Sequence, residues 1–224
     1  MLTTHQPTQC DARILVFAKA PQPGQAKTRL IPLMGSEGAA QLQAHLTCRT
    51  IGMSISAEIG SVELWCAPHA DFAFFRLLGA EQSISLHTQC EGDLGRKMEH
   101  AANQSLSPGQ PVLIIGTDCP LMTPGHLQRA AQTLHQGYDT VLIPAEDGGY
   151  VLIGLTRMAP TLFDNIAWGT EQVLTATQTR LTALDWKVLL MDPLPDLDHP
   201  GDCEQLARNH PELWQALTTA NPSP

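Results

Sequence analysis

Three cations lie close together in a short segment rich in proline and glycine: Lys19, Lys27 and Arg29. The segment, residues 18–30, follows the apolar run 14–17, which is typical of a buried strand. Ligands commonly bind at the carboxyl ends of strands in an α/β sheet, so cations on such a loop are well placed to hold phosphate. We name residues 18–30 the cationic loop and infer that it binds a nucleotide or another phosphorylated ligand.

Asp118 follows a second apolar run, residues 112–114, and stands directly before Cys119 and Pro120. A carboxylate that leaves a buried strand is costly when it stays unpaired, and a bound divalent cation would offset that cost. The pattern therefore makes Asp118 a candidate metal ligand. A helix-capping or turn aspartate explains this segment equally well when it is considered alone.

Residues 144–150 form an acidic segment between two further apolar runs, and it contains two glycines. Gly148 and Gly149 permit positive φ and a close approach of the backbone to a ligand. The pair Asp147-Gly148 is also a strong hairpin signal, so an ordinary hairpin is the alternative. The two interpretations are compatible, because a hairpin can present Asp147 to an acceptor or a sugar.

Asp196 and Asp198 belong to a fourth polar segment, residues 192–202. Because they lie two positions apart, an extended backbone would direct both side chains to one side. On its own, this segment favours ordinary capping of a helix that begins near Pro200, by Asp198 or His199. For His199, a capping or orienting role is favoured over catalysis.

All four polar segments follow predicted strands, so a parallel sheet would bring them to one edge. A cationic loop for phosphate and separated aspartates for a hard cation are complementary parts of one metal–diphosphate site. Oxygen ligands favour Mg²⁺ or Mn²⁺ over zinc. Such a cation would bridge phosphate oxygens and stabilise charge on the leaving group.

Apolar runs alternate with helical patterns along the chain. Strands are predicted at residues 13–18, 62–67, 83–87, 111–115, 140–144, 150–155 and 187–191. Helices are predicted at residues 36–56, 71–78, 94–106, 124–136, 170–184, 200–209 and 212–219. This alternation indicates an open, mostly parallel α/β sheet with helices on both faces. The connection before residue 150 is too short for a parallel crossover, which predicts an antiparallel insertion.

The composition excludes several classes of protein. The net charge of −9 over 224 residues argues against a general nucleic-acid binder. The longest apolar runs are far shorter than the roughly 18 residues that a transmembrane helix requires. Residues 1–12 lack a signal pattern and are interpreted as a flexible leader on a cytoplasmic protein. Residues 13–220 are then long enough for a single α/β domain.

Six motifs carry a family resemblance: Lys19-x-Pro21-x-x-Gly24-x-x-Lys27-Thr28-Arg29-Leu30, Gly92-Asp93-Leu94-Gly95, Gly116-Thr117-Asp118-Cys119-Pro120, Asp147-Gly148-Gly149-Tyr150 with Leu152-Ile153-Gly154, Ile166-x-Trp168-x-Thr170, and Asp196-x-Asp198-x-Pro200-x-Asp202. The chain resembles the DUF2064-type group of GT-A-fold transferases, described as glycosyltransferases associated with radical-SAM/selenodomain genes. These belong to the nucleotide-diphospho-sugar transferase superfamily. A more distant likeness is to molybdenum-cofactor guanylyltransferase and 2-phospho-L-lactate guanylyltransferase.

The resemblance implies a GT-A-like fold and a role for each matched position. The metal, Mg²⁺ or Mn²⁺, would be held by Asp118 and Asp198. The catalytic residues would be Asp118, Asp147 and Lys27. The nucleotide would lie against Ala18, Lys19, Ala20, Pro21, Gly24, Lys27, Arg29, Asp93 and Lys97. The acceptor side would include Gly148, Gly149, Tyr150 and Trp168.

One position departs from the group's pattern. Lys97 stands where the group has arginine, which replaces a two-pronged guanidinium with a point charge. An arginine-specific contact with phosphate is therefore not expected there.

The leading hypothesis is a metal-dependent glycosyltransferase that uses a nucleotide sugar. An acceptor hydroxyl would attack the anomeric carbon, and Asp147 would orient or deprotonate it. The alternative is nucleotidyl transfer, in which diphosphate leaves a nucleoside triphosphate; Lys27 and Arg29 support it, because a triphosphate needs more cations. A third hypothesis is a nucleotide-binding module without catalysis, which the intact aspartates and cations make less favourable.

Overall fold

A mixed seven-stranded sheet lies at the centre of the computed structural model, which describes residues 11–219. Its strands are β1 (Arg13–Lys19), β2 (Val62–Ala67), β3 (Ser85–Thr88), β4 (Val112–Ile115), β5 (Thr140–Pro144), β6 (Tyr150–Leu155) and β7 (Val188–Leu190). Its helices are α1 (Ile31–Ser56), α2 (Ala73–Gln82), α3 (Leu94–Ser105), α4 (Pro124–His135), α5 (Val173–Ala183), α6 (Pro200–Asn209) and α7 (Pro211–Thr219), with a 3-10 helix (Thr28–Leu30) before α1. All seven predicted strands are present.

The strand order is β3-β2-β1-β4-β6-β5-β7, and β6 runs antiparallel to its neighbours β4 and β5. The remaining pairs are parallel. The carboxyl ends of β1, β4, β5 and β7 therefore meet at one edge, where the amino end of β6 also lies. The predicted mostly parallel sheet and its antiparallel insertion are confirmed. Each of the four polar segments follows one of these strand ends.

Helices cover both faces of the sheet. Ile14, Val16 and Ala18 of β1 pack into a buried cluster with residues of α1, α2 and α4. Leu15, on the opposite face of the same strand, packs with residues of α3 and α5. Burial of these two apolar faces is the main favourable contribution to folding.

A third apolar cluster joins the cationic loop to the C-terminal helices. Leu30, at the end of the loop, and Leu197, in the segment after β7, are both essentially fully buried in it. They share the cluster with residues of α1, α6 and α7. The packing of Leu30 and Leu197 brings together two segments that lie far apart in the sequence.

Two helix boundaries differ clearly from the prediction. α1 begins at Ile31 rather than at residue 36, with Pro32 in its first turn, where proline loses no hydrogen bond. Gly35 has a φ of 74° and lies at a kink in the helix. The predicted start at residue 36 therefore matches the start of the part of α1 that follows the kink. α2 covers Ala73–Gln82 rather than residues 71–78.

Two residues of the predicted leader, Asp11 and Ala12, lie within the described range. Ala12 is buried and donates its N–H to the carbonyl of Ile59 at 2.7 Å, and Asp11 accepts a hydrogen bond from Gln110 at 2.9 Å. Both residues thus bond to the segments that lead into β2 and β4, while residues 1–10 lie outside the described range. Among the described helices, none has the length and hydropathy needed to cross a membrane.

Candidate active site

The cationic loop makes a tight turn before its two C-terminal cations. Ala26 N–H donates to the carbonyl of Gln22 at 3.0 Å, and Lys27 then adopts a left-handed backbone with φ 46° and ψ 45°. This conformation is uncommon for lysine, and such outliers concentrate at functional sites. Burial of Leu30 anchors the far end of the loop, so the backbone that carries Lys27 is fixed at both sides.

Lys27 is the centre of an ion-pair network that joins three segments. Its Nζ lies 2.7 Å from Asp118 Oδ1 and 2.9 Å from Asp198 Oδ1, and its side chain is only 4% exposed. Arg29 Nη1 contacts Asp198 Oδ2 at 3.2 Å from a position that is 57% exposed. The predicted phosphate-binding cations and the predicted metal-binding carboxylates therefore pair with one another.

The main chain of Leu197 ties the same three segments together. Its N–H donates to the carbonyl of Asp118 at 2.8 Å, and its carbonyl accepts a hydrogen bond from Lys27 Nζ at 2.6 Å. The burial of the Leu197 side chain holds this strip of backbone in place. The position of the ion pairs is thus set by core packing.

The first turn of α6 orients Asp198. Asp202 Oδ2 accepts hydrogen bonds from the backbone N–H groups of Asp198 and His199, at 2.9 and 2.6 Å. A carboxylate there satisfies free N–H groups and interacts favourably with the helix dipole. His199 occupies the N-cap position. Capping and a site role therefore coexist in this segment, because different side chains perform them.

Electrostatics favour the charged forms of Lys27 and Asp198. Burial alone would lower the pKa of Lys27, but the charges of Asp118 and Asp198 outweigh it and hold the pKa above its usual value. Burial alone would raise the pKa of Asp198, but Lys27 and Arg29 outweigh it and hold the pKa below its usual value. Lys27 and Asp198 are therefore both ionised near neutral pH.

A buried polar chain supports Asp118 from within the fold. Gln43 Nε2 on α1 donates to Thr117 Oγ1 at 3.0 Å, and Thr117 Oγ1 lies 3.4 Å from Asp118 Oδ1. Gln43 and Thr117 are 4% and 3% exposed. Gln43 was not predicted to belong to the site. Its place on the apolar face of a predicted helix is the signal that could have identified it.

The turn after β5 places Asp147 at the edge of the site. Asp147 Oδ1 accepts a hydrogen bond from Gly149 N–H at 2.9 Å. Gly148 has a φ of 91°, and a Cβ there would collide with the backbone carbonyl of Glu171. Leu174 N–H also donates to the carbonyl of Gly148 at 2.9 Å. Gly148 therefore permits a close approach to the chain just before α5.

These segments surround a cleft of about 690 Å³ at the carboxyl edge of the sheet. Neither Lys19 nor Lys97 forms an ion pair within residues 11–219, so two lysines of the cleft are not neutralised by a carboxylate. The predicted site residues that line the cleft are Ala18, Lys19, Lys27, Arg29, Lys97, Asp118, Asp147, Gly149, Tyr150, Trp168 and Asp198.

The other predicted site residues lie outside the cleft lining. The side chain of Asp93 accepts a backbone hydrogen bond at 2.9 Å and caps α3. Ala20 is buried, and Pro21 and Gly24 belong to the turn of the cationic loop. Gly148 faces the chain before α5.

Tyr150 and Trp168 form an aromatic wall of the cleft. Their rings meet edge to face, with centroids 6.5 Å apart. A Cβ on Gly95 of α3 would come within 2.7 Å of the Trp168 ring, so glycine allows the ring to pack directly on this helix. Because α3 also carries Lys97, the aromatic wall and an unpaired lysine lie on neighbouring parts of the cleft.

Asp196 is a further acidic residue of the cleft, as the spacing with Asp198 predicted. Burial and the negative charges of Asp147 and Asp198 raise the pKa of Asp196 to about 6. The side of the cleft that contains Asp147 and Asp196 therefore has a concentration of negative charge.

The donor set fits a hard divalent cation. One oxygen of Asp118 and one of Asp198 already converge on a single positive charge, the ammonium of Lys27. Carboxylate oxygens are the ligands that Mg²⁺ and Mn²⁺ prefer, with substrate phosphates and water completing the shell. Within residues 11–219, no group of three or more His, Cys, Asp or Glu side chains is arranged to hold a metal ion. A cation held by Asp118 and Asp198 would take its remaining ligands from phosphate and water.

Sequence comparison places the chain in a family. Residues 50–170 match DUF2064, an uncharacterized protein conserved in bacteria. The chain belongs to this family. No curated protein matches this DUF2064 chain significantly.

Solved structures share the fold of this DUF2064 protein. A proposed nucleotide-diphospho-sugar transferase from Desulfovibrio desulfuricans G20 is 28% identical, with a TM-score of 0.81 over 92% of this chain and 93% of that one. The 4-diphosphocytidyl-2C-methyl-D-erythritol synthase from Anaerococcus prevotii is 11% identical, with a TM-score of 0.56 over 86% and 95% of the two chains. The inositol-1-phosphate CTP transferase from T. maritima is 10% identical, with a TM-score of 0.54 over 94% and 98%. The expected GT-A-like fold is confirmed, and the 28% identical neighbour, named as a proposed transferase, agrees with the transferase class.

Proposed function

We propose that this protein is a glycosyltransferase that binds a nucleotide sugar in the cleft and transfers the sugar to an acceptor hydroxyl. One observation carries the proposal: Lys27, Asp118 and Asp198 meet at the carboxyl edge of the sheet, beside unpaired lysines. Cations for a diphosphate and carboxylates for a hard metal are the parts that such a reaction requires. The 28% identity to a proposed nucleotide-diphospho-sugar transferase supports it.

Asp118 and Asp198 would hold Mg²⁺ or Mn²⁺ together with the donor phosphates. When bound, this ion stabilises negative charge on the phosphate oxygens. Lys27 Nζ contacts the same two carboxylates that would hold the ion. With the ion bound, the ammonium would therefore turn toward the diphosphate and become a phosphate ligand. Lys97 and Lys19 add positive charge along the same cleft without first breaking an ion pair.

Asp147 would orient the acceptor hydroxyl and accept its proton. It lies on an exposed turn at the edge of the cleft and keeps one carboxylate oxygen outside the bond to Gly149. The Tyr150–Trp168 wall offers a flat apolar surface, which suits the ring of a sugar or a base.

Nucleotidyl transfer is the second candidate. It is favoured by the number of cations in the cleft, since Lys19, Lys27, Arg29 and Lys97 all line it. The fold neighbours from Anaerococcus prevotii and T. maritima are a synthase and a transferase named for cytidyl chemistry. In this reaction the α-phosphorus is attacked and diphosphate leaves.

Product analysis separates the two reactions. The protein is incubated with Mn²⁺ or Mg²⁺ and with panels of nucleotide sugars and nucleoside triphosphates, and released phosphates are resolved by anion-exchange chromatography. Metal-dependent release of nucleoside diphosphate from a nucleotide sugar supports glycosyl transfer, whereas diphosphate release from a triphosphate supports nucleotidyl transfer. Activity that survives Asp118→Ala would refute the proposed site for either reaction.

A further inference from the structure

A second cavity, of about 230 Å³, opens beside the cleft. Its walls come from the segment after β4, the segment before α6, and α6 itself. Asp147 and Asp196 line both the cavity and the cleft, so the two spaces adjoin at these carboxylates. Any ligand in the cavity therefore lies next to Asp147, the residue placed at the acceptor hydroxyl.

The charged side chains around the cavity are mainly acidic, which favours a ligand without negative charge. Its acidic residues are Glu146, Asp147, Asp196 and Asp202, and no lysine or arginine among residues 11–219 lines it. Asp202 is already engaged by two backbone N–H groups, which leaves three carboxylates facing the space without a cationic partner. An anion in this cavity would meet the like charges of these carboxylates, and the imidazoles of His199 and His210 are the basic side chains that the described lining sets against them.

The rest of the wall combines apolar side chains with two imidazoles, His199 and His210, and two amides, Gln205 and Asn209. Leu121 and Leu206 face the cavity from opposite segments, with Pro120 and Pro195 beside them. Ligand pockets commonly combine apolar walls with a few polar groups that fix orientation. The volume is below the roughly 300–1,000 Å³ of drug-sized pockets, so the cavity suits a small molecule or one end of a larger one.

We propose that this cavity is the acceptor subsite and that the acceptor is a hydroxyl compound that carries no negative charge. The inference rests on the proposed transferase function and names the substrate class of its second site. The acidic lining disfavours acceptors that carry phosphate or carboxylate, which supports glycosyl transfer to an alcohol over nucleotidyl transfer to a phosphate.

The reaction at this junction balances without a further reactant. The acceptor oxygen forms a bond to the anomeric carbon of the donor, and the bond from that carbon to the diphosphate oxygen breaks. Its electron pair leaves with the nucleoside diphosphate. The hydroxyl proton passes to the carboxylate of Asp147.

Crystals of the full chain, soaked with small hydroxyl-bearing fragments, test the subsite. The library contains equal numbers of anionic, neutral and cationic fragments of matched size. We expect neutral and cationic fragments to occupy the cavity at least tenfold more often than anionic ones. Equal or greater occupancy by anions, or a cavity that accepts no fragment, would overturn the proposal.

A filled cavity provides a second test. Leu121→Trp places a large ring in the cavity, and Leu77→Trp makes the same change at a 56% exposed site on α2. For Leu121→Trp alone, we expect fragment occupancy to fall at least tenfold while nucleoside diphosphate affinity in the cleft stays within twofold. Unchanged occupancy would contradict the assignment. Loss of nucleotide binding by the unmodified chain would instead refute the proposed function, since that measurement is independent of the cavity.

Discussion

Lys27 Nζ lies 2.7 Å from Asp118 Oδ1, although the two residues come from separate strand ends. The same ammonium contacts Asp198 at 2.9 Å, so one lysine occupies the position between two carboxylates that a divalent cation would share. Lysine and metal would therefore compete for the same oxygens. A donor diphosphate would resolve the competition, because it offers Lys27 an alternative anion.

Removal of Lys27 should strengthen metal binding in the absence of nucleotide. In Lys27→Ala, Asp118 and Asp198 lose their shared cation, and we expect Mn²⁺ to bind about tenfold more tightly, or ~1.4 kcal/mol. Titration followed by electron paramagnetic resonance of free Mn²⁺ measures this change. Lys97→Ala removes the same charge from the cleft without touching either carboxylate and should have little effect. Equal affinities for Lys27→Ala and the unmodified protein would contradict competition.

The strands and their polar ends could be predicted from the sequence, because buried apolar runs and turn residues are local signals. The pairing of Lys27 with Asp198 could not be predicted, since it depends on where Leu30 and Leu197 pack. The sequence predicts a phosphate-binding role for Lys27 and, separately, a metal-binding role for Asp198. Only the fold places them within 2.9 Å of each other.

Neutralising Asp196 should stabilise the protein at high pH. The pKa of Asp196 is raised to about 6 from 3.8, so its contribution is favourable at low pH and is lost as the pH rises through 6. Asp196→Asn removes this loss, and we expect a gain of about 1 kcal/mol at pH 8, reduced by solvent screening, and little gain at pH 4. Urea unfolding at both pH values measures it. Asp192→Asn, an exposed change in the same segment, controls for net charge. A gain in the stability of Asp196→Asn that does not depend on pH would contradict the electrostatic cause.

Gly148→Ala should destabilise the turn that carries Asp147. The substitution places a Cβ against the backbone of Glu171 at a φ of 91°, and we expect a loss of at least about 2 kcal/mol in the free energy of unfolding. Gly109→Ala is the matched control, because Gly109 has a φ of 78° with open space around it. That control should lose only about 1 kcal/mol from backbone strain. Equal losses would show that the contact with Glu171 is unimportant.

The contact between Gln43 and Thr117 should be energetically coupled. Gln43→Leu leaves Thr117 Oγ1 without its buried donor, and we expect a loss of about 1–3 kcal/mol in stability. A double-mutant cycle with Thr117→Val should give a coupling energy of about 1 kcal/mol by denaturant unfolding. Strict additivity of the two changes would exclude the proposed support of Asp118.

The role of Gln43 also marks the limit of sequence reasoning. A glutamine in a helix is ordinarily assigned to the solvent, and only the packing of α1 against β1, β2 and α4, with its contact to Thr117, makes it 4% exposed. The two glycines after β5 show the same limit. Freedom of φ was predicted for both, but only Gly148 has a positive φ. The backbone that Gly148 approaches belongs to residue 171, whose position the sequence does not reveal.

Calorimetric titration with nucleoside diphosphates tests the central claim most directly, with and without Mn²⁺, for the unmodified protein and for Asp118→Ala. The proposed site requires at least one nucleoside diphosphate to bind more tightly when Mn²⁺ is present. It also requires Asp118→Ala to lose that increase by tenfold or more. If no nucleotide binds more tightly with Mn²⁺, or if the increase persists in Asp118→Ala, the result would contradict a metal–diphosphate site at Lys27, Asp118 and Asp198.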